Sequence, residues 1–153
     1  AFGQDLYDLN VQQYCCAGLN FGYFYDQSPV MVYDEEKAPD YSMGGFTAST
    51  VPGCRAPHFW VAEGRSLYDE LGKAYTLLCF KPGQETSVAC LTAAAALAGM
   101  PLKVLEVPAT VHVPPEYQHA LVMVRSDAHT VWRGRELTQK GAKDLVSVLC
   151  GMP

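Results

Sequence analysis

The hydrophobic pattern is most regular in the second half of the chain. Tyr75 to Phe80 is an almost unbroken apolar run, which predicts a strand buried on both faces. Thr86 to Ala98 follows with Val88, Leu91, Thr92 and Ala95 at helical spacing, and Gly99 then Pro101 stop that helix. Leu102 to Val107 predicts a second buried strand. The Pro-rich stretch from Pro108 to Tyr117 has no helical period and predicts a crossing. His119 to Arg125 and His129 to Trp132 predict a hairpin around Ser126-Asp127-Ala128. Thr138 is placed to cap a last helix in which Ala142, Leu145, Val146 and Leu149 share a face, with Gly151 ending it.

A strand, a crossover helix and a strand make a right-handed unit with the two strands parallel. The later hairpin adds two antiparallel strands, and the last helix covers a face. The expected fold is therefore α/β and thioredoxin-like, in the order β-α-β-β-β-α, with its middle helix reduced to the Pro-rich crossing. Upstream, the pattern predicts an aromatic-rich arm. It consists of a helix from Asp5 to about Ala17 with Leu6, Leu9 and Gln13 on one face, and a hairpin of Leu19–Asp26 with Val30–Asp34 around Asp26-Gln27-Ser28-Pro29. A connector rich in Pro and Gly runs from Glu35 to about Pro57, and Ser66 to Gly72 predicts a short capped helix. The expected division is an arm and connector over 1–60 and the thioredoxin-like domain over 61–153.

Composition sharpens this picture. At 49% hydrophobic and 18% charged residues, the 153-residue chain has enough apolar side chains for a core. Its net charge of −5 argues against nucleic acid as partner, and no run reaches the roughly 18 apolar residues of a membrane span. Six cysteines without a CxxC pair suggest a reduced, cytoplasmic setting. Residues 1–60 hold seven of the 16 acids, two of the 11 bases and 12 of the 17 aromatics. A solvated acidic tail would be poor in aromatics, so this segment is expected to pack on something. Several rings left exposed would drive self-association through residues 1–60, while a chain beginning near Ala56 is expected to be soluble and monomeric.

The chemistry-bearing patterns are sparse. In a thioredoxin-like redox protein the reactive thiols sit where the first buried strand turns into its helix. Here that turn reads Lys81-Pro-Gly-Gln-Glu-Thr-Ser87, without cysteine. Cys79 and Cys90 read as buried apolar groups, and a thiol role for Cys15-Cys16 or Cys54 is disfavoured. The four histidines, His58, His112, His119 and His129, show no metal-ligand spacing. No GxGxxG or GxxxxGK[ST] loop offers a phosphate cradle, and no GxSxG elbow presents a nucleophile. The densest motif is Val51-Pro-Gly-Cys-Arg-Ala-Pro-His-Phe-Trp60, whose prolines and glycine make a rigid frame for Arg55, His58 and Trp60. Those three are candidate interdomain contacts; alternatively, Arg55 and His58 only cap carbonyls or pair with acids. Lys81, Arg125, Arg133 and Arg135 read as a solvated face.

Five blocks in order resemble one family: Gly18-Leu-Asn-Phe-Gly-Tyr-Phe-Tyr-Asp-Gln-Ser-Pro29, Pro52-Gly-Cys-Arg-Ala-Pro-His58, Gly64-Arg-Ser-Leu-Tyr-Asp-Glu-Leu-Gly72, Tyr75-Thr-Leu-Leu78 and Val124-Arg-Ser-Asp-Ala-His-Thr-Val-Trp-Arg133. The chain resembles the C-terminal region of single-component FAD-dependent aromatic hydroxylases, the phenol-hydroxylase-like and hydroxyphenylpropionate-hydroxylase-like monooxygenases. The resemblance implies that residues 1–60 are the end of the family's substrate domain with its connector and 61–153 a non-catalytic structural or oligomerisation domain, in an enzyme whose FAD-binding motifs and most of whose substrate pocket would lie before Ala1. It also implies that FAD and NAD(P)H serve the whole enzyme, which inserts one oxygen atom into a phenolic ring. It assigns no catalytic or metal-binding residue and no cofactor to this chain. A free-standing thioredoxin-fold binding module is the alternative, and a thiol redox protein ranks behind it.

Overall fold

The computed structural model describes residues 2–152. Its centre is strand β3 (Tyr75–Cys79), every residue of which is buried. Helix α3 (Glu85–Ala98) carries the chain across to β4 (Leu102–Glu106), which pairs parallel with β3. Strands β5 (Leu121–Arg125) and β6 (Thr130–Gly134) follow as an antiparallel hairpin, β5 against β3, giving one mixed sheet in the order β4-β3-β5-β6. Helix α4 (Gln139–Leu149) then returns over the sheet and packs on α3. The caps follow from the sequence. Gly99 adopts φ 66° and sends its N–H to the carbonyls of Ala95 and Ala96, and the Thr138 hydroxyl accepts from Gly141 N–H.

Period-two alternation splits the sheet between two cores. Tyr75, Leu77, Cys79, Leu121, Met123 and Val131 meet Leu91, Ala94 and Ala95 of α3 and Ala142, Leu145, Val146 and Leu149 of α4. On the opposite face Leu78, Val122 and Val124 are covered by Ala56, Phe59, Val61 and Leu67 from the stretch before β3, Val107 just after β4 and Tyr117 at the end of the crossing. Each large side chain so buried contributes about 1.5–3 kcal/mol. The second half thus forms the elements its periodicity predicts. One difference is that β4 is half-buried, because it is an outer strand with only β3 beside it.

The arm departs from expectation. Helix α1 (Phe2–Tyr14) breaks at Cys15-Cys16, and a short α2 (Ala17–Phe21) follows. Of the face expected on α1, Leu6 and Leu9 are exposed, whereas the side chain of Gln13 lies outside the described structure. The aromatic strand Leu19–Asp26 and its returning strand do not form. Alternating rings mimic a strand in the sequence, but no neighbouring strand is there to receive their backbone donors. Tyr25 N–H goes instead to Gly53 O, and Val32 N–H to Val131 O at the outer edge of β6. Met31, at 4% exposure, belongs to the first core, so this part of the arm is wrapped onto the body.

A second small sheet, unforeseen, joins β1 (Trp60–Ala62) to β2 (Arg65–Ser66) around Glu63-Gly64. Gly64, at φ 68°, supplies the left-handed residue this turn needs. The expected short helix is a 3₁₀ turn, Leu67–Glu70, capped by the Ser66 hydroxyl, which accepts from Tyr68 N–H. Among the described residues no helix is long and apolar enough to cross a membrane.

Candidate functional site

The rigid motif ending in Trp60 is fixed from beneath by the turn of the β5–β6 hairpin. Gly53 N–H donates to Thr130 O, Thr130 N–H to Cys54 O, and Ala56 N–H to Ala128 O, while Arg55 forms a single bridge with His129. Gly53 sits at φ 99° with its Cα against the Tyr25 carbonyl, a place where any Cβ would collide.

From that frame the Arg55 guanidinium lies over two rings, 4.8 Å from the centre of Tyr68 and 5.7 Å from that of Phe21. Tyr68 is held by its own hydroxyl, which donates to Ala56 O at 2.7 Å. The His58 ring stands edge-on to Tyr68 and to Trp60, at 5.3 and 5.1 Å, with Nε2 2.9 Å from Ser66 Oγ. The structure therefore brings Arg55, His58 and Trp60 into one row and adds Phe21 and Tyr68, which the sequence did not single out. Trp60 is 58% exposed. Arg65, Arg125 and Arg133 each hold a carboxylate, whereas among the described residues Arg55 holds none.

Next to Arg55 is a narrow cleft between Phe21, Tyr23, Tyr41 and Phe46, with room for about one water-sized group. On the other side of the row, His58 and Trp60 form one wall of an open groove whose other wall is the crossing at Pro108, Val111 and Pro114.

Two further clusters tie the arm down. His129 is fully buried between Tyr23 and Tyr25, with ring centres 5.1 and 4.9 Å away. Its Nδ1 lies 3.1 Å from Asp127 O, so the proton sits there and the bare Nε2 is without a partner. Burial pushes the His129 imidazole below its ordinary pKa, outweighing the nearby Asp127 charge. Arg133 overturns the expectation of a solvated face. It is buried, its Nε donates to Asp34 Oδ2 at 2.6 Å, and other guanidinium nitrogens reach Glu36 and Thr50 Oγ1. Arg125 also departs from that expectation, being half-buried, paired with Asp127 and laid over Tyr25. Lys81 and Arg135 are exposed. The signal for Arg133 was the acidic run Asp34-Glu35-Glu36, which wanted a cation.

All six cysteines are free. Burial raises the Cys54 thiol and pushes Cys79 up to about 11, which keeps both protonated and unreactive. The residues present do not fit FAD. The turn into α3 places Glu85 in the first helical turn, where a diphosphate would meet a like charge, and Gln84 offers no cap. The narrow cleft is far too small for a flavin, and the open groove, at about 680 Å³, is unenclosed and lined by Glu63 without any Lys or Arg to hold a diphosphate.

A mixed four-stranded sheet with helices on one face and an aromatic-lined connector on the other defines an α/β unit. A family profile described as "Aromatic-ring hydroxylase, C-terminal" matches residues 49–153, and the chain belongs to that family. It is 29% identical over 134 residues to the FAD-dependent monooxygenase apdD of Emericella nidulans, a match covering 84% of this chain and 22% of that protein. With phenol 2-monooxygenase of a Pseudomonas species it shares 28% over 162 residues, covering 95% of this chain and 26% of the relative. Among solved structures, the rebeccamycin biosynthetic enzyme RebC with reduced flavin superposes with a TM-score of 0.74 at 30% identity, over 93% of this chain and 25% of RebC. The flavin-dependent monooxygenase PieE, solved with FAD and substrate, gives a TM-score of 0.73 at 28% identity, over 95% of this chain and 28% of PieE. The chain thus spans about a quarter of the length of these relatives.

Proposed function

We propose that this chain is the bracing C-terminal part of an FAD- and NAD(P)H-dependent aromatic-ring hydroxylase, and that it carries none of the reacting groups. The observation behind this reading is the distribution of rings on the arm. Tyr25, Tyr23 and Phe21 touch the body through His129 and Arg55, yet each is 38–47% exposed, Tyr41 and Phe46 are exposed beside them, and Leu6 and Leu9 are exposed on α1. Apolar surface of that extent on one segment marks a contact face. The flavin- and substrate-binding part of the enzyme is its occupant, and Arg55, His58 and Trp60 are the interdomain contacts. Residues 1–60 act as arm and connector, and 61–153 as a thioredoxin-like domain. The strand order β4-β3-β5-β6, with one parallel and two antiparallel pairs, supports that assignment. The FAD in such an enzyme supplies the oxygen-activating chemistry; this chain supplies rigidity and orientation.

Two measurements test the reading. The purified chain should show no flavin spectrum and consume no NAD(P)H, whereas joined to a flavin-binding part it should raise that part's melting temperature. A yellow chain that retains FAD through gel filtration refutes it. The arm should also cause self-association of the chain on its own, weakly dependent on salt because the contact is aromatic. Sedimentation at low and high salt decides, and a monomer at high concentration with its rings protected would remove the arm's contact role.

A further inference from the structure

We infer that Arg55 is the receptor for a single carboxylate side chain on the flavin- and substrate-binding part of the enzyme. The inference rests on the bracing function proposed above. It sets Arg55 apart as the cation of a largely aromatic face.

Arg55 is positioned by its backbone and by rings rather than by a carboxylate. Its backbone is bridged to His129, Pro52 and Pro57 stiffen the chain on either side, and two rings bracket its guanidinium. Arg125 and Arg133 spend their charge inside the molecule, on Asp127 and on Asp34 with Glu36. The charge of Arg55 is instead offered outward, half-exposed, in the middle of the row that ends at Trp60. A guanidinium held by aromatic faces keeps its fork free for a planar two-oxygen acceptor.

The surroundings select the anion. Residues 1–60 hold seven acids against two bases, so a polyanion such as nucleic acid is repelled far more than a single side-chain carboxylate. The cleft between Phe21 and Tyr41 has room for only a small polar tip such as one carboxylate oxygen, too little for an aromatic acid or a nucleotide. What fits is an Asp or Glu side chain arriving on a protein surface whose apolar residues cover the rings. Asp40 also lines this cleft, but it does not reach ion-pair distance of Arg55.

The test uses the whole flavin-loaded hydroxylase carrying Arg55→Lys, treated with a zero-length carbodiimide that joins an amine only to a carboxylate touching it. Peptide mass spectrometry should find one new amide from position 55 to an Asp or Glu outside residues 1–153. That amide should be missing from the unsubstituted enzyme and from Arg55→Met. A link to Asp40, a link to a second copy of this chain, or no link at all overturns the inference. Arg55→Glu should speed proteolysis of the connector in the holoenzyme about tenfold relative to Arg55→Met, whereas the two variants, which lose the same cation–ring contacts, should melt alike as the chain alone; equal proteolysis of the two in the holoenzyme overturns it. Oxidative footprinting of Trp60 separates the two levels. Trp60 protected in the holoenzyme but without the amide removes the inference alone, and Trp60 equally reactive in the holoenzyme and the isolated chain removes the bracing function as well.

Discussion

Arg133 and Asp34 stand 99 residues apart in sequence and meet at 2.6 Å, Nε to Oδ2, with the guanidinium buried and the carboxylate half-exposed. This pair fastens the arm to the outer strand of the sheet. Burial pushes the Asp34 carboxyl up, but the Arg133 hydrogen bond and charge outweigh it and hold the group below its ordinary value. Asp34→Asn should therefore cost about 1.5–3 kcal/mol, the range of a charge-assisted hydrogen bond. Glu36→Gln should cost under about 1 kcal/mol, because that carboxylate is 65% exposed. Urea unfolding of the two variants checks the ranking, and equal costs would contradict it.

Acid should loosen the arm at a second place, where His129 lies between Tyr23 and Tyr25. Its folded pKa is depressed, chiefly by burial and further by the Arg55 and Arg125 charges, with Asp127 opposing. The folded chain thus binds this proton less readily than the unfolded one, so the stability is whole above about pH 6.5 and declines as the pH falls from there toward the folded value. His129→Asn should flatten that decline in a melting-temperature profile. Some slope should survive, since burial also lowers His119. An unchanged slope would show that His129 is not the titrating group.

Thiol labelling should sort the cysteines by burial. Exposed Cys15 should react within minutes with an aromatic disulfide reagent, whereas Cys54 and Cys79 should react only on unfolding. Insulin reduction should stay at background. Activity abolished by Cys54→Ser or Cys15→Ser would restore the redox reading.

Gly53→Ala should destabilise by about 1–3 kcal/mol or more, because an alanine at φ 99° is strained and its Cβ meets the Tyr25 carbonyl. Gly64→Ala, at φ 68° with open space around it, should cost about 1–2 kcal/mol. Equal losses in thermal unfolding would mean that the arm does not press on Gly53.

The contrast between the two halves explains what the sequence made legible. Tyr75–Cys79, α3 and α4 are legible because their apolar residues run unbroken or repeat with the period of the element. Phe21, Tyr23 and Tyr25 alternate just as regularly, yet their partners are Arg55, His129 and Arg125, more than thirty residues away, so local periodicity pointed to the wrong element. The motif carrying Arg55, His58 and Trp60 was visible from its prolines. Tyr68 was not, because a tyrosine in a short capped turn gives no sign that its ring will carry a cation. Arg133 was misjudged for the same reason: its anions arrive from 97 and 99 residues upstream.

The outer strand β6 exchanges backbone hydrogen bonds with Gly53 and Cys54 through Thr130, and Val131 accepts one from Val32. The connector and the arm therefore act as a selvage that keeps the sheet from fraying into its neighbours. A chain cut back to Ala56, expected from sequence to be a quiet monomer, would lose all three bonds and present β6 as a bare edge to the next molecule. Trimming the sticky rings would thus replace one kind of association with another, strand against strand, and that kind has no built-in end.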